Sequence, residues 1–260
     1  MARRIAVCNQ KGGVGKTTTA VNLAAALGLR TGRVLLVDMD PQAHATLGLG
    51  VDRTRLAVSV YEVMIEAQRV DEAVLSGRSD GMDLLPAAVN LAGAELELVD
   101  SEQREFRLKR ALALVEPKYE FILIDCPPSL GLLTVNSLTA AHGVLVPVQA
   151  EYLALEGISR LLDTIALVRQ GLNPGLELEG VLLTMYSTRL SLSQQVAAEV
   201  RGFFREQVFD TVIPRSVRLA EAPSFGKPVF AYDGSSAGAQ AYMALADELL
   251  ARRGVKLEAG

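Results

Sequence analysis

Cysteine is scarce in this sequence, and its scarcity bears on both disulfides and iron–sulfur clusters. The 260 residues contain two cysteines, Cys8 and Cys126, each beside an apolar stretch. Such positions suit buried, reduced thiols better than a disulfide. A cluster bridging two subunits would need two suitably placed thiolates from each chain. Because Cys8 directly precedes a glycine-rich loop, we do not expect it to reach such a bridge.

Long hydrophobic runs and an excess of positive charge are also missing. No apolar run approaches the roughly 20 residues of a membrane span, and because only Met-Ala-Arg-Arg precedes the first apolar stretch, we expect no signal peptide. We therefore expect a soluble, cytoplasmic protein. The 26 basic and 30 acidic side chains give a net charge of −4, so any contact with nucleic acid must come from a local basic patch.

The sequence does contain enough apolar material for one large core. Half of its residues are hydrophobic, and the length suits a single α/β domain, which we expect to span residues 1–260. Apolar runs predict strands at residues 5–8, 34–37, 82–85, 121–124, 143–149 and 179–185. Helical spacing predicts a first helix that ends at Gly28 and Gly32, and further helices at residues 102–115, 155–168, 188–206 and 235–253. Pro147, inside one predicted strand, is unusual for a central strand.

The most informative stretch is the loop between the first strand and the first helix, which reads KGGVGKTT. Glycines allow a tight turn whose N–H groups point inward, and the positive end of the helix dipole faces the same hollow. Such a cradle binds a polyphosphate. The predicted nucleotide-binding residues of the loop are Lys11, Gly12, Gly13, Val14, Gly15, Lys16, Thr17 and Thr18.

Two residues of this loop have specific predicted tasks. Lys16 is placed to reach the β and γ phosphates, and the Thr17 hydroxyl is placed to hold Mg²⁺. Thr18 can add a further donor. A dinucleotide site fits less well because the spacing G-x-G-x-x-G is absent, and a lysine followed by threonine suits a metal-bound triphosphate.

Acidic residues follow two of the predicted buried strands. Asp38 and Asp40 come after the strand at 34–37, and Asp125 follows the strand at 121–124. The carboxyl ends of parallel strands adjoin the ligand crevice of an open α/β sheet. An aliphatic strand ending in aspartate is the second half of P-loop chemistry, in which the carboxylate accepts from metal-bound water. For residues 38–42, a plain Asp-Pro turn or a helix N-cap is the alternative.

The loop departs from the usual pattern G-x-x-x-x-G-K-[ST] in an informative way. Gln10 occupies the position of the first glycine, and the additional lysine, Lys11, follows it. This loop resembles the deviant P-loop of the family that contains the ParA/Soj partition ATPases, the MinD division-site ATPases and the nitrogenase iron protein. The segments DMDPQ, DCPP, IPRSVRL and EAPSFGKP also resemble that family. The resemblance implies a three-layer, open, mostly parallel twisted sheet with helices on both faces.

The resemblance also implies roles for individual residues. Lys11 would reach across a dimer interface to the partner's nucleotide and, with Lys16 and Asp40, form the catalytic set, in which Asp40 positions the attacking water. The implied metal-site residues are Thr17, Asp38 and Asp125. Met185, Pro214 and Ser216 would contact the adenine, although many relatives carry asparagine at the last of these positions.

The function implied by the resemblance is ATP-dependent partition of DNA. Mg²⁺ and ATP would close a homodimer that binds double-stranded DNA without sequence preference on the nucleoid, until a ParB-like partner stimulates a weak hydrolysis. The candidate DNA-binding residues are Arg189, Arg201, Arg205, Arg218 and Lys227. For these side chains, solvated charges and surface ion pairs are the alternative.

Two other functions remain open at this stage. A MinD-like ATPase would be expected to end in a short amphipathic helix that binds a membrane surface. The tail VKLEAG has little apolar mass, so we expect no stable membrane association. A P-loop enzyme that phosphorylates or ligates a small molecule is the other alternative.

Overall fold

The computed structural model describes residues 1–66, 69–151 and 156–255. The predicted helix start at residue 155 and the tail at 256–260 lie outside the described residues. Within the described ranges, none of the helices combines the length and the apolar character needed to cross a bilayer.

Seven strands of the described chain form one sheet. They are β1 Arg3–Val7, β2 Val34–Asp38, β3 Leu75–Ser79, β4 Met82–Leu85, β5 Phe121–Asp125, β6 Gly143–Gln149 and β7 Glu177–Thr184. Their order is β3-β4-β2-β5-β1-β6-β7, and every pair is parallel except β3 with β4. Six strands confirm the predicted ones, with shifts of one or two residues. The sequence did not predict β3, because its residues LSGRS are mostly polar and its strand lies at the sheet edge.

Helices cover both faces of this sheet. They are α1 Lys16–Thr31, α2 His44–Gly48, α3 Val60–Ile65, α4 Val70–Ala73, α5 Ala94–Glu97, α6 Arg107–Val115, α7 Leu132–Ala140, α8 Glu156–Gly171, α9 Ser191–Phe204, α10 Val217–Glu221, α11 Val229–Asp233 and α12 Ala237–Arg252. Alternate residues of a strand point to opposite faces, so Ile5 and Val7 join the core under α1 and α12, whereas Ala6 joins the core under α6 to α9. The predicted three-layer α/β architecture is confirmed.

Several predicted boundaries shift for local reasons. The predicted helix at 102–115 begins only at Arg107, after Gln103 adopts a left-handed conformation with φ 52°. Pro147 does lie inside β6, but the pairing of β6 with β1 ends at Leu145. The carbonyl of Pro147 accepts from the Asn9 side chain at 2.7 Å, beyond that ladder. The N–H of Cys8 donates to the Leu145 carbonyl at 3.1 Å, and the next donor of the parallel ladder would be the N–H that Pro147 lacks, so the pairing of β6 with β1 ends at this point.

The prediction that Gly28 helps to end the first helix is wrong. The helix continues to Thr31, and Gly32 ends it in a left-handed conformation with φ 77°. Gly28 instead lies where the helix touches the turn between β3 and β4, and a Cβ there would come within 2.6 Å of the Asp80 carbonyl oxygen. The glycine is needed for close packing and not for helix termination.

The close packing at Gly28 and the open space at Gly202 predict opposite effects for alanine substitutions at these two helix positions. Gly28→Ala should lower the free energy of unfolding by about 1–3 kcal/mol, because backbone atoms oppose the new methyl group. Gly202→Ala, in α9 with no atom within 4 Å of the added Cβ, should raise it by about 0.5–1 kcal/mol through helix propensity. Urea unfolding with unchanged m-values measures both. Stabilisation by Gly28→Ala would contradict the proposed packing.

Candidate nucleotide site

The glycine-rich loop joins the end of β1 to the first residue of α1. Gly13 and Gly15 have φ values of 74° and 90°, which residues with a Cβ adopt only at a cost. The 16-residue helix α1 starts at Lys16, so its unpaired N–H groups and its positive dipole end face the hollow formed by the loop. The backbone is therefore arranged for an anion with several oxygens.

Side chains from two strand ends hold the loop in place. Asn9, just after β1, accepts the N–H of Lys11 on Oδ1 at 3.0 Å and donates from Nδ2 to the Pro147 carbonyl in β6. Thr184, at the end of β7, donates its hydroxyl to the Val14 carbonyl at 2.8 Å. Sequence reasoning missed Thr184, although its position directly before Met185 at a strand end was a usable signal.

The two lysines of the loop lie together. Lys16 is 7% exposed, and its Nζ donates to the carbonyl of Lys11 at 3.2 Å. Burial lowers the pKa of Lys16, whereas Asp125 and Asp40 raise it. A cation held in a partly desolvated hollow next to two carboxylates is suited to bind phosphate oxygens. The Lys11 side chain is half-buried.

Asp125 is a buried carboxylate that lacks a partner. It stands in register with Asp38 at the carboxyl end of the sheet, and neither of its oxygens has a hydrogen-bond partner among the described residues. Burial raises the pKa of Asp125 well above its usual value and Asp38 raises it further, whereas a hydroxyl interaction with Thr17, too poorly aligned for a regular hydrogen bond, and the charge of Lys16 lower it. The hydrogen-bonding capacity of such a buried carboxyl group is satisfied only when a donor such as metal-bound water reaches it.

Asp38, in contrast, is fully hydrogen-bonded. Its Oδ2 accepts from the N–H and the hydroxyl of Thr46 at 2.8 and 2.7 Å, and its Oδ1 accepts from the N–H of Asp40 at 3.2 Å. Burial raises its pKa to about 6, and these hydrogen bonds oppose that shift. Asp38 thus fixes the segment that carries Asp40, a positioning role beside the predicted metal role. Sequence reasoning missed Thr46.

Asp40 lies in a turn, which was the alternative interpretation of residues 38–42. Its Oδ1 accepts from the N–H of Gln42 at 2.9 Å, and the helix α2 begins later, at His44. The side chain is 6% exposed and acts on Lys16 through its charge. The turn and the predicted catalytic position are therefore compatible, because the turn holds the carboxylate at the hollow.

A magnesium ion fits these residues only together with a ligand. In the described ranges, no three acidic, histidine or cysteine side chains are grouped closely enough to bind a metal alone. Mg²⁺ commonly keeps several waters and takes one or two protein oxygens beside substrate phosphates. The Thr17 hydroxyl and the unpartnered oxygens of Asp125 are suited to that arrangement.

A second hollow, of about 210 Å³, adjoins the loop. It brings together the three residues predicted to contact a base, Met185, Pro214 and Ser216, and Gly15 and Thr18 of the loop line it as well. Met185 has a left-handed φ of 50° directly after β7. Ser216 directly precedes α10, and its side chain makes no capping hydrogen bond, which leaves its hydroxyl available to a ligand.

Two further features complete the site. Tyr242 of α12 also lines this hollow, and its buried hydroxyl lies 3.1 Å from that of Thr19. Nothing in the sequence indicated that Tyr242 belongs to the site. Cys8 and Cys126 are both buried, as predicted, and the Cys8 thiol donates to Cys126 Sγ. That both thiols are reduced stays a prediction. Burial raises the pKa of Cys8, so its thiol stays neutral.

The candidate DNA-binding residues are not all in one place. Arg189 is exposed and lines one hollow together with Arg215. Arg201 lies in the last turn of α9, about 15 Å along the helix from its first turn at 1.5 Å per residue, and Arg205 follows it. Lys227 lines a separate hollow beside Thr17 and His44.

Arg218, at the start of α10, is already paired with carboxylates. Its Nη1 lies 2.9 Å from Glu221 and its Nε 3.2 Å from Asp233, while half of the side chain is exposed. Exposed pairs of this kind contribute little to stability, so a phosphate can replace them at small cost.

The different hydrogen bonding of the two buried carboxylates predicts opposite effects on the ligand-free protein. Asp125→Asn should raise the free energy of unfolding by about 1 kcal/mol or more at about pH 8, because it removes an unpartnered charge. The folded-state pKa of Asp125 is raised, so its ionisation destabilises the fold as pH rises, and the gain should shrink towards about pH 5.

Asp38→Asn is the matched variant. It replaces one accepting oxygen by an NH₂ group that faces donors, so it should lower the free energy of unfolding by about 1–3 kcal/mol. Urea unfolding of both variants at several pH values measures these changes. A loss of stability in Asp125→Asn at about pH 8 would contradict the view that this carboxylate lacks a partner.

Comparison with known proteins agrees with this geometry. A family model described as an AAA domain matches residues 2–178. The chain is 51% identical to the chromosome partitioning protein ParA of Myxococcus xanthus, over 97% of this chain and 89% of that protein. It is 53% identical to the sporulation initiation inhibitor protein Soj of Bacillus subtilis, over 96% and 99%.

Among solved structures, the chain is similar to a Mycobacterium smegmatis protein described as cobyrinic acid a,c-diamide synthase with bound ADP and magnesium. The identity is 43% and the TM-score 0.86, over 99% of this chain and 98% of that one. The resemblance inferred from the sequence is therefore confirmed: the chain belongs to the ParA/Soj family of chromosome-partitioning P-loop ATPases.

Proposed function

We propose that this protein is an ATP-driven switch that partitions DNA. One observation carries the proposal: the glycine-rich loop, Lys16, the buried Asp125 and the second hollow lie together at the carboxyl end of the sheet. These features suit a nucleoside triphosphate bound together with a divalent ion. The relatives above 50% identity, which are named for chromosome partition and sporulation control, supply the biological context.

In this proposal the residues 11–18 bind the phosphates and Lys16 neutralises the β and γ groups. The base lies in the hollow formed by Met185, Pro214 and Ser216. Bound Mg²⁺ would neutralise charge on the same phosphates. Asp40 orients a water molecule that attacks the γ phosphorus, and the bond to the β–γ bridging oxygen breaks to give ADP and phosphate.

Closure of two subunits is the second part of the proposal. Each Lys11, which is half-buried, contacts the phosphates of the other subunit. Dimerisation then makes the arginine-bearing surfaces of two chains into one footprint. Such a footprint neutralises several DNA phosphates together, which gives strong salt dependence and little sequence preference. We place Arg189 and Arg218 at its centre, with Arg201, Arg205 and Lys227 around it.

Release completes the cycle. A ParB-like partner stimulates a hydrolysis that is slow in the isolated protein, and the subunits separate and leave the DNA. The protein therefore acts in the cytoplasm, associated with the nucleoid, and residues 1–260 work as one ATPase domain.

One specific observation favours a second candidate. The similar Mycobacterium smegmatis protein, at 43% identity, is described as a diamide synthase, so a ligase that activates a small carboxylic acid with ATP is the alternative. It predicts that cobyrinic acid with an amino donor accelerates ADP formation in the absence of DNA. A MinD-like role instead predicts ATP-dependent binding to anionic liposomes.

The experiment that tests the proposal is binding to a duplex of arbitrary sequence with ATP, with ADP and without nucleotide, at low and high salt. We expect binding only with Mg²⁺ and ATP, a loss of affinity at high salt, and no binding by Lys16→Ala. Fluorescence anisotropy of a labelled duplex measures it. Binding that is equal in all nucleotide states would contradict the switch.

Charge variants locate the footprint within the same assay. Arg189→Glu and Arg218→Glu should each weaken DNA binding by about tenfold or more and lower the salt slope, while ATP affinity stays unchanged. Arg169→Glu is the matched control, because Arg169 is exposed in the last turn of α8, which leads to the amino end of β7 at the opposite edge of the sheet. Equal loss in all three variants would show a non-specific charge effect.

A further inference from the structure

We infer that Thr184 is a positioning residue for phosphate binding: its hydroxyl orients the peptide between Val14 and Gly15, so that the Gly15 N–H points into the phosphate hollow. This inference rests on the nucleotide-binding part of the proposed function. It concerns a residue 170 positions away from the loop in sequence.

The contact is short and buried. Thr184 is 3% exposed, and its Oγ1 donates to the Val14 carbonyl at 2.8 Å. Its Cβ and Cγ2 also lie 3.9 Å from the point where a Cβ on Gly15 would stand. The side chain therefore holds the carbonyl of this peptide through a hydrogen bond, and its methyl group lies on the side of Gly15 where a Cβ would stand.

The planarity of the peptide means that a bond to the Val14 carbonyl also sets the direction of the Gly15 N–H. A trans peptide is planar, and its C=O and N–H point in opposite directions. Because Thr184 holds the Val14 carbonyl towards β7, the Gly15 N–H must point away from β7. Among the described residues this N–H donates to no backbone carbonyl. It is thus free to bind a phosphate oxygen at the start of α1.

The loop needs such an external constraint because its own residues do not set the peptide orientation. Val14 lies between Gly13 and Gly15, whose φ values of 74° and 90° show that both use the freedom of glycine. Rotation of the intervening peptide would turn the N–H out of the hollow.

Thr184 can supply the constraint because it is itself held firmly. It is the last residue of β7, it pairs with Gln149 of β6, and its carbonyl accepts from the N–H of Ala150 at 3.2 Å. The next residue, Met185, turns the chain sharply and enters the base hollow. One strand end thereby fixes the phosphate loop and presents the base contact.

Two simpler roles must be separated from this one. Thr184 also lines the base hollow, so it could shape the base site alone, and a buried hydrogen bond could serve stability alone. A base-site role affects all adenine nucleotides equally. The positioning role affects those with a β phosphate more, because they depend more on the loop N–H groups.

The test compares binding of ADP and AMP, each with Mg²⁺, to the wild-type protein and to Thr184→Val and Thr184→Ser, by calorimetry. Valine keeps the shape and removes the hydroxyl, and serine keeps the hydroxyl. We expect Thr184→Val to weaken ADP binding by about tenfold and AMP binding by less than about twofold, while Thr184→Ser stays within about twofold for both. Thr31→Val removes another hydroxyl-to-carbonyl bond, at the far end of α1, and should change neither affinity.

Each other outcome overturns a specific part. Equal weakening of ADP and AMP by Thr184→Val would assign the residue to the base hollow, and unchanged ADP binding with reduced unfolding free energy would assign it to stability alone. Wild-type protein that fails to bind ADP would refute the proposed function together with this inference. Wild-type protein that binds ADP with the expected variant pattern, but never binds DNA, would refute only the partition role.

Discussion

The structure depends on a buried carboxylate that the chain leaves unpaired. Asp125 is fully buried, and neither of its oxygens accepts a hydrogen bond of good geometry from the described residues, although the Thr17 hydroxyl lies close to it. Burial and Asp38 hold its pKa high. Folding therefore keeps an unfavourable group at the bottom of the crevice, which a hydrated cation and a polyphosphate can satisfy. Ligand binding and the relief of this unfavourable burial are then the same event, and that coupling suits a switch.

The remainder of the fold arranges donors and positive charge around that carboxylate. Asn9 and Thr184, at the ends of β1 and β7, hold the glycine-rich loop, and the Pro147 carbonyl of β6 anchors Asn9. Thr46 holds Asp38, whose other oxygen orients the segment of Asp40. All of these contacts lie at the carboxyl edge of a parallel sheet, where the strand ends converge. The same edge continues to Arg189 and Arg218. Nucleotide chemistry and the proposed DNA contact are thus only a few residues apart along the chain.

The parts of this arrangement that are local in sequence could be predicted, and the parts that depend on distant contacts could not. Strand, glycine loop and helix follow one another around Lys16, and parallel strands buried on both faces show as continuous apolar runs. Thr184 and Tyr242 escaped prediction because their partners lie 170 and 223 positions away. Gly28 was misassigned because the sequence alone does not distinguish a glycine that allows close packing from one that ends a helix.

The most direct test of the account is the number of protons released when Mg²⁺ and ADP bind, obtained from calorimetry in buffers of different ionisation enthalpy. Because the pKa of free Asp125 is raised, binding of a cation nearby should lower it and release a proton near neutral pH. We expect wild-type protein to release more protons than Asp125→Asn, with the difference growing as pH falls towards slightly acidic values. Equal proton release by the two proteins would contradict the claim that the unpaired carboxylate is where ligand binding acts.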